Sequence, residues 1–159
     1  MPNVPIKPFL WFDHQAEEAA TFYVSIFPNS KIDRVVRYGA GGPGPAGSAM
    51  TVAFQLQGQP FVALNGGPHF KFTEAISFVV DCKSQDEVDF YWEKLSAGGV
   101  PSQCGWLKDQ FGLSWQIVPS VLPALLSDPD PQKSGRVMQA MMTMSKIDIS
   151  KLEQARDAS

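Results

Sequence analysis

Histidine, cysteine and charge are all scarce in this sequence, and each shortage removes a class of activity. Only His14 and His69 carry imidazoles, so a metal site built from three converging histidines is excluded. The two cysteines, Cys82 and Cys104, make neither a disulfide framework nor a spaced metal or redox motif. A reduced, cytoplasmic setting is the expectation that follows. Charged residues are 18% of the chain and the formal net charge is −3, with a pI near 5.3. That balance offers no basic surface to a polyanion, which argues against nucleic acid as a partner. No apolar run approaches the ~20 residues of a membrane helix. The first residues lack the basic-then-apolar pattern of a secretory signal, so neither membrane insertion nor export is expected.

What is present is a good core. Hydrophobic residues reach 44% of 159, enough for one core or for two half-size units sharing an interface. Residues 6–12 read as a strand, with Pro8 confined to its start or to an edge. Asp13 is the expected cap of the helix that follows, with Glu17 and Glu18 near its positive end. Ala16, Ala19, Ala20, Tyr23, Ile26 and Phe27 share one face of that helix, and Pro28-Asn29 stops it. Residues 31–38 form a second strand and 39–47 a loop rich in glycine and proline. Residues 50–57 alternate as a third strand. Gly58-Gln59 is the expected hairpin turn into a fourth, 61–64.

The same order then begins again. Residues 76–80 read as a strand, and Ser84 with Glu87 as a capping box. Val88, Tyr91, Trp92 and Leu95 form the apolar stripe of a helix that Gly98-Gly99 ends. Residues 100–106 and 113–118 read as strands, with Asp109 and Gly112 as turn formers between them. Leu113, Trp115 and Ile117 alternate with Ser114 and Gln116, which sets one polar side chain, Gln116, among bulky ones. The expectation is a duplicated unit, although the second half shows one strand fewer, with residues 104–111 as the place to find it. The tail differs. Residues 121–126 are apolar, 127–133 are rich in Asp and Pro, Asp130-Pro131 opens a helix carrying Val137, Met138, Met141, Met142 and Met144, and Asp148 caps a last one. The methionine stripe is either adaptable packing or a surface for a second subunit.

Several chemical motifs carry little. Gly39-Ala40-Gly41-Gly42-Pro43-Gly44 fits the spaced-glycine dinucleotide pattern, but that pattern works only when a helix follows, and here a strand does. His14 at a helix start and His69 in a loop read as surface residues, though a pocket-edge His69 can move protons. Cys104 lacks a histidine partner placed by the sequence, and both cysteines read as small buried residues.

Ordered along the chain are Phe9-Leu10-Trp11-Phe12-Asp13, Glu18-Ala19-Ala20-Thr21-Phe22-Tyr23, residues 78–82, Trp92-Glu93-Lys94-Leu95, Gly98-Gly99, Cys104-Gly105-Trp106-Leu107-Lys108-Asp109, and Met141-Met142 with Lys146-Ile147-Asp148-Ile149. Together they resemble PhnB-like proteins of the glyoxalase/bleomycin-resistance/extradiol-dioxygenase (vicinal oxygen chelate) superfamily. Within it, the group labelled 3-demethylubiquinone 3-methyltransferase-like is the nearest in pattern. The resemblance covers nearly the whole chain. It implies an α+β fold of two βαβββ modules, at residues 1–73 and 74–126, forming a cupped mixed sheet. A helical tail at 127–159 follows, and the usual assembly is a homodimer. The superfamily's metal ligands fall near Asn65, near Ser77 and on Gln116 by this likeness, and none of these is a strong ligand for a divalent ion.

The expectation for function is therefore a small-molecule binding protein with no metal and no cofactor. Its cup would be lined by Trp11, Asn65, Ser77, Trp106 and Gln116. Against this stands the reading that the two tryptophans fill core and that a neighbouring backbone group satisfies Gln116. An alternative is an enzyme with a remodelled divalent-metal site, or an acid-base site using His69, Cys104 or Glu74. Methyl transfer from S-adenosylmethionine is not expected, because the sequence has no doubly wound sheet with a glycine loop leading into a helix.

Overall fold

The computed structural model describes residues 4–159. The chain forms two compact units, one closing at Phe72 and the other running Thr73–Ser159.

The first unit contains β1 (Phe9–Phe12), α1 (Ala16–Ile26), β2 (Lys31–Arg37), β3 (Ala49–Leu56) and β4 (Gln59–Asn65). Its sheet runs β1-β4-β3-β2, with β1 parallel to β4 and the other pairs antiparallel. Alternation decides the faces. Val52, Phe54 and Leu56 of β3 are buried on one side with Phe61 and Ala63 of β4. The small residues Ala16, Ala19 and Ala20, fully buried on α1, allow close approach to the sheet. Tyr23 stacks on Phe54 and Phe54 on Phe61, with centroids 6.4 and 5.3 Å apart. Each such side chain removed from water contributes roughly 1.5–3 kcal/mol.

Three expectations shift here. The first strand starts at Phe9, not residue 6: Pro8 has no N–H for the ladder, and only its carbonyl takes part, accepting from Val62 N at 3.0 Å. The hairpin turn is Gln57-Gly58, one residue earlier than expected, with φ of 51° and 80°, the left-handed pair a two-residue turn requires. Asp13 does not cap α1. Gln15 holds the cap position without a side-chain bond, and the free Ala16 N–H donates instead to Asn65 Oδ1 at 2.8 Å.

The second unit contains β5 (Phe78–Cys82), α2 (Gln85–Ser96), β6 (Val100–Pro101), β7 (Trp106–Lys108), β8 (Ser114–Pro119), α3 (Leu122–Leu126), α4 (Pro131–Met142) and α5 (Ile149–Asp157). Its sheet order is β5-β8-β7-β6, again with the first strand parallel to the last. Each unit is thus a four-stranded mixed sheet with one helix crossing from its first strand. The missing strand is β7, within the expected residues 104–111, and the segment 100–106 does not run straight as expected. Cys104 and Gly105 take φ of 59° and 84° and fold that segment into the antiparallel pair β6–β7. The strand expected at 76–80 lies two residues later. Ser84 accepts from Glu87 N at 3.2 Å as a capping box requires, while the Glu87 carboxylate reaches Lys83 N, one residue beyond the usual partner.

The tail folds onto this same unit. Leu122, Leu125, Val137, Met144, Ile147 and Leu152 make a small core. Asp130 and Asp148 cap α4 and α5 as expected, accepting from Gln132 N and Lys151 N. Gln85 clamps the segment before α5, donating to Ile147 O at 3.0 Å and accepting from Ile149 N at 2.9 Å. Of the methionines, Met144 is buried and Met141 packs beside the core, whereas Met138 and Met142 are exposed. Among the described residues no helix is long and apolar enough to cross a membrane.

Candidate functional site on the open face of the second sheet

One face of the second sheet is sealed: Val80, Cys82, Leu107, Trp115 and Ile117 are buried with Val88 and Leu95 of α2. The register fixes what the other face carries. Trp106 pairs with Gln116 and Lys108 with Ser114 across β7–β8, and Val79 pairs with Gln116 across β5–β8. Directly paired residues share a face, so Gln116 lies between Val79 and Trp106, opposite the core. Val79 and Val100 are 58% and 63% exposed, so two apolar side chains stand open on a face that also carries Gln116, Lys108 and Ser114.

Gln116 Nε2 donates to Ser77 Oγ at 2.9 Å. The amide is thus satisfied by a hydroxyl from the segment preceding β5, not by a backbone group. A cleft of about 280 Å³ opens against Trp106, walled by Val100, Pro101, Ser102, Trp106 and Leu107, with Glu74, Lys108 and Ser114; Gln116 and Ser77 are not among its lining residues. Lys108 and Glu74 form an ion pair within the cleft, and the ammonium holds the Glu74 carboxyl below its ordinary range. The turn between β7 and β8 sets this register. Asp109, nearly fully buried, accepts through Oδ1 from Phe111 N and Leu113 N at 2.9 and 3.0 Å. Through Oδ2 it accepts from Trp115 Nε1 at 2.9 Å.

The first unit holds the other two expected residues, and both have scaffold contacts. Trp11 Nε1 donates to Gly67 O at 2.9 Å, and its ring meets Phe70 edge-on at 5.0 Å. It also packs so closely on Gly66 that a Cβ there would fall 2.7 Å from Cη2. Asn65 caps α1 through Oδ1 and donates through Nδ2 to Ala49 O at 3.0 Å. The glycine-rich loop leads from Tyr38 into β3, not into a helix.

The family model for 3-demethylubiquinone-9 3-methyltransferase matches residues 5–118. A PhnB protein from Bacillus cereus is 36% identical, with a TM-score of 0.67, over 72% of this chain and 98% of that one. The chain belongs to this PhnB-like family of the vicinal oxygen chelate superfamily. The fold is that superfamily's glyoxalase/bleomycin-resistance fold. Protein PA1353 from Pseudomonas aeruginosa shares it at 19% identity, with a TM-score of 0.62 over 74% of this chain and 98% of that one. The fosfomycin resistance protein FosX from Listeria monocytogenes does so at 16% identity, with a TM-score of 0.58 over 80% and 99%. No curated protein matches the chain.

In this PhnB-like chain the residues offered for acid-base work are poorly placed for it. His14 and His69 are exposed, and Glu74 is held ionised by Lys108. Cys104 sits in the left-handed turn, its N–H donating to Met144 O at 2.8 Å. Burial, with the charges of Glu87 and Asp81, pushes the Cys82 thiol up to about 12, so it stays protonated and inert at neutral pH. Ser114 and Lys108 were missed from the sequence as cleft residues. Their alternation with Trp115 and Leu107 was the available signal, but small polar residues on an open strand face are common and point nowhere by themselves.

Proposed function

We propose that this PhnB-like protein binds a small, largely apolar molecule on the open face of its second sheet without a metal ion. The observation that carries this is the Gln116–Ser77 hydrogen bond beside Trp106. It supports a neutral amide–hydroxyl pair where the resemblance implies the superfamily's His and Glu metal ligands. The donor set does not suit a divalent ion. Gln116 has only its carbonyl oxygen left to offer, Ser77 is a neutral hydroxyl, and neutral oxygens hold such ions far more weakly than carboxylate or imidazole. Among the described residues no group of three or more His, Cys, Asp or Glu side chains stands together. Methyl transfer is disfavoured because neither unit places a glycine loop ahead of a helix.

The expected result is tryptophan quenching by small aromatic compounds that disappears in Trp106→Phe and weakens about tenfold in Gln116→Ala, with sub-stoichiometric metal in purified protein. Stoichiometric metal that is lost in Gln116→Ala overturns the reading and favours the enzyme alternative. The free Cys82 and Cys104 support a cytoplasmic setting. The exposed Met138 and Met142 on α4 support a homodimer formed through that face, since their packing with the tail core is incomplete. Light scattering on the Met138→Ser/Met142→Ser variant should then give half the mass of the parent protein, and an unchanged mass rejects this interface.

A further inference from the structure

Ser114 is the one described residue with a fully shielded side-chain oxygen that lacks a hydrogen-bond partner. It is 1% exposed, it lines the cleft with Trp106, Val100 and Pro101, and it pairs across the ladder with Lys108. A buried hydroxyl left unpaired is destabilising, and such groups in a cleft wall mark where an outside partner belongs. Serine has three staggered rotamers, so Oγ can turn toward a molecule seated against Trp106 without backbone movement.

Resting on the binding reading above, we infer that Ser114 is the polar anchor of the ligand, and that the ligand is an uncharged planar aromatic bearing one phenolic or carbonyl oxygen. The walls favour an apolar body, and the indole of Trp106 favours a flat one. Charge decides against an acid. Lys108 is already neutralised by Glu74, so an entering carboxylate meets the Glu74 charge with no free cation. A neutral oxygen needs only the hydroxyl, which both donates and accepts.

Three probes of one size separate these demands: p-cresol, benzoate and toluene, titrated against the intact protein by tryptophan fluorescence and calorimetry. The expected order is p-cresol tightest and benzoate weakest. Ser114→Ala removes the anchor and weakens p-cresol about tenfold, which is ~1.4 kcal/mol, while leaving toluene unchanged. Because the lost hydroxyl had no partner, the same variant melts no lower than the parent, which confirms that it folds. If p-cresol binds and Ser114→Ala leaves it unchanged, the anchor assignment is wrong while the binding reading survives. Equal weakening of toluene and p-cresol overturns it too, since that is a change of shape. If benzoate binds tightest, the neutral-ligand assignment falls. If no probe perturbs Trp106, the anchor and the binding reading fall together.

Discussion

Replacing Asp109 by alanine is expected to remove roughly 3–5 kcal/mol of stability, a large share of the 5–15 kcal/mol typical of a domain. The carboxylate is 3% exposed and accepts from two backbone N–H groups and from the Trp115 indole. Alanine leaves three donors without their acceptor, and each buried unsatisfied group costs about 1–3 kcal/mol. Asparagine is the sharper test. Its single carbonyl oxygen can keep the two backbone bonds, but its NH2 then faces the indole N–H, donor against donor. The expected loss is about 2 kcal/mol, concentrated on Trp115. Urea unfolding followed by tryptophan emission reads both variants. A midpoint for Asp109→Ala within error of the parent would show that the turn does not depend on this side chain.

Asp109 also shows how far the sequence reaches. Its role as a turn former was legible, because Asp and Gly three residues apart favour a tight turn whatever surrounds them. Its burial was not, since a local pattern is the same whether the carboxylate points out to water or inward to Trp115. Asn65 illustrates the opposite error. Cap signals are read over three or four residues, so Asp13 took the part on paper, while the residue that satisfies Ala16 N comes from 49 positions away. Residues 104–111 were the expected place of the missing strand, and β7 lies there; the turn that separates it from β6 was not marked, because a cysteine rarely adopts a positive φ and Gly105 alone was too little to announce one.

The candidate site divides in the same way. Period-two alternation put Gln116 on the face opposite Trp115 and Ile117, and the ladder confirms that side. Its contact with Ser77 depends on the parallel pairing of β5 with β8, 39 residues apart in sequence. Only the family resemblance brought those two together beforehand. Trp11 and Asn65 came from the same resemblance, and their side chains are occupied with Gly67, Ala16 and Ala49. Ser114 is visible only in three dimensions, because being unpartnered is a property of surroundings and not of a residue type.

Gly105→Ala should be almost as damaging as Asp109→Ala, and for a reason that ties the tail to the cleft. Gly105 has φ of 84°, where a side chain costs roughly 1–2 kcal/mol. An added Cβ would also fall 2.8 Å from Ile117 O and 3.2 Å from Ile147 Cγ1. The backbone must retreat, and two bonds made by Gly105 oppose that: its N–H to Ser145 O at 2.8 Å, and its carbonyl to Ile117 N at 2.7 Å. The first holds the segment between α4 and α5, and the second extends the β7–β8 ladder that sets Trp106 opposite Gln116. The expected loss is about 3 kcal/mol, with faster amide exchange at residue 105 and at Ile117, the two donors of these bonds, and weakened ligand quenching. Gly112→Ala supplies the control. It shares the left-handed φ, at 88°, but a Cβ there meets nothing within 4 Å, so only the conformational part, about 1–2 kcal/mol, should be lost. Equal losses in the two variants would mean that strain alone accounts for Gly105 and that the tail is not anchored through it.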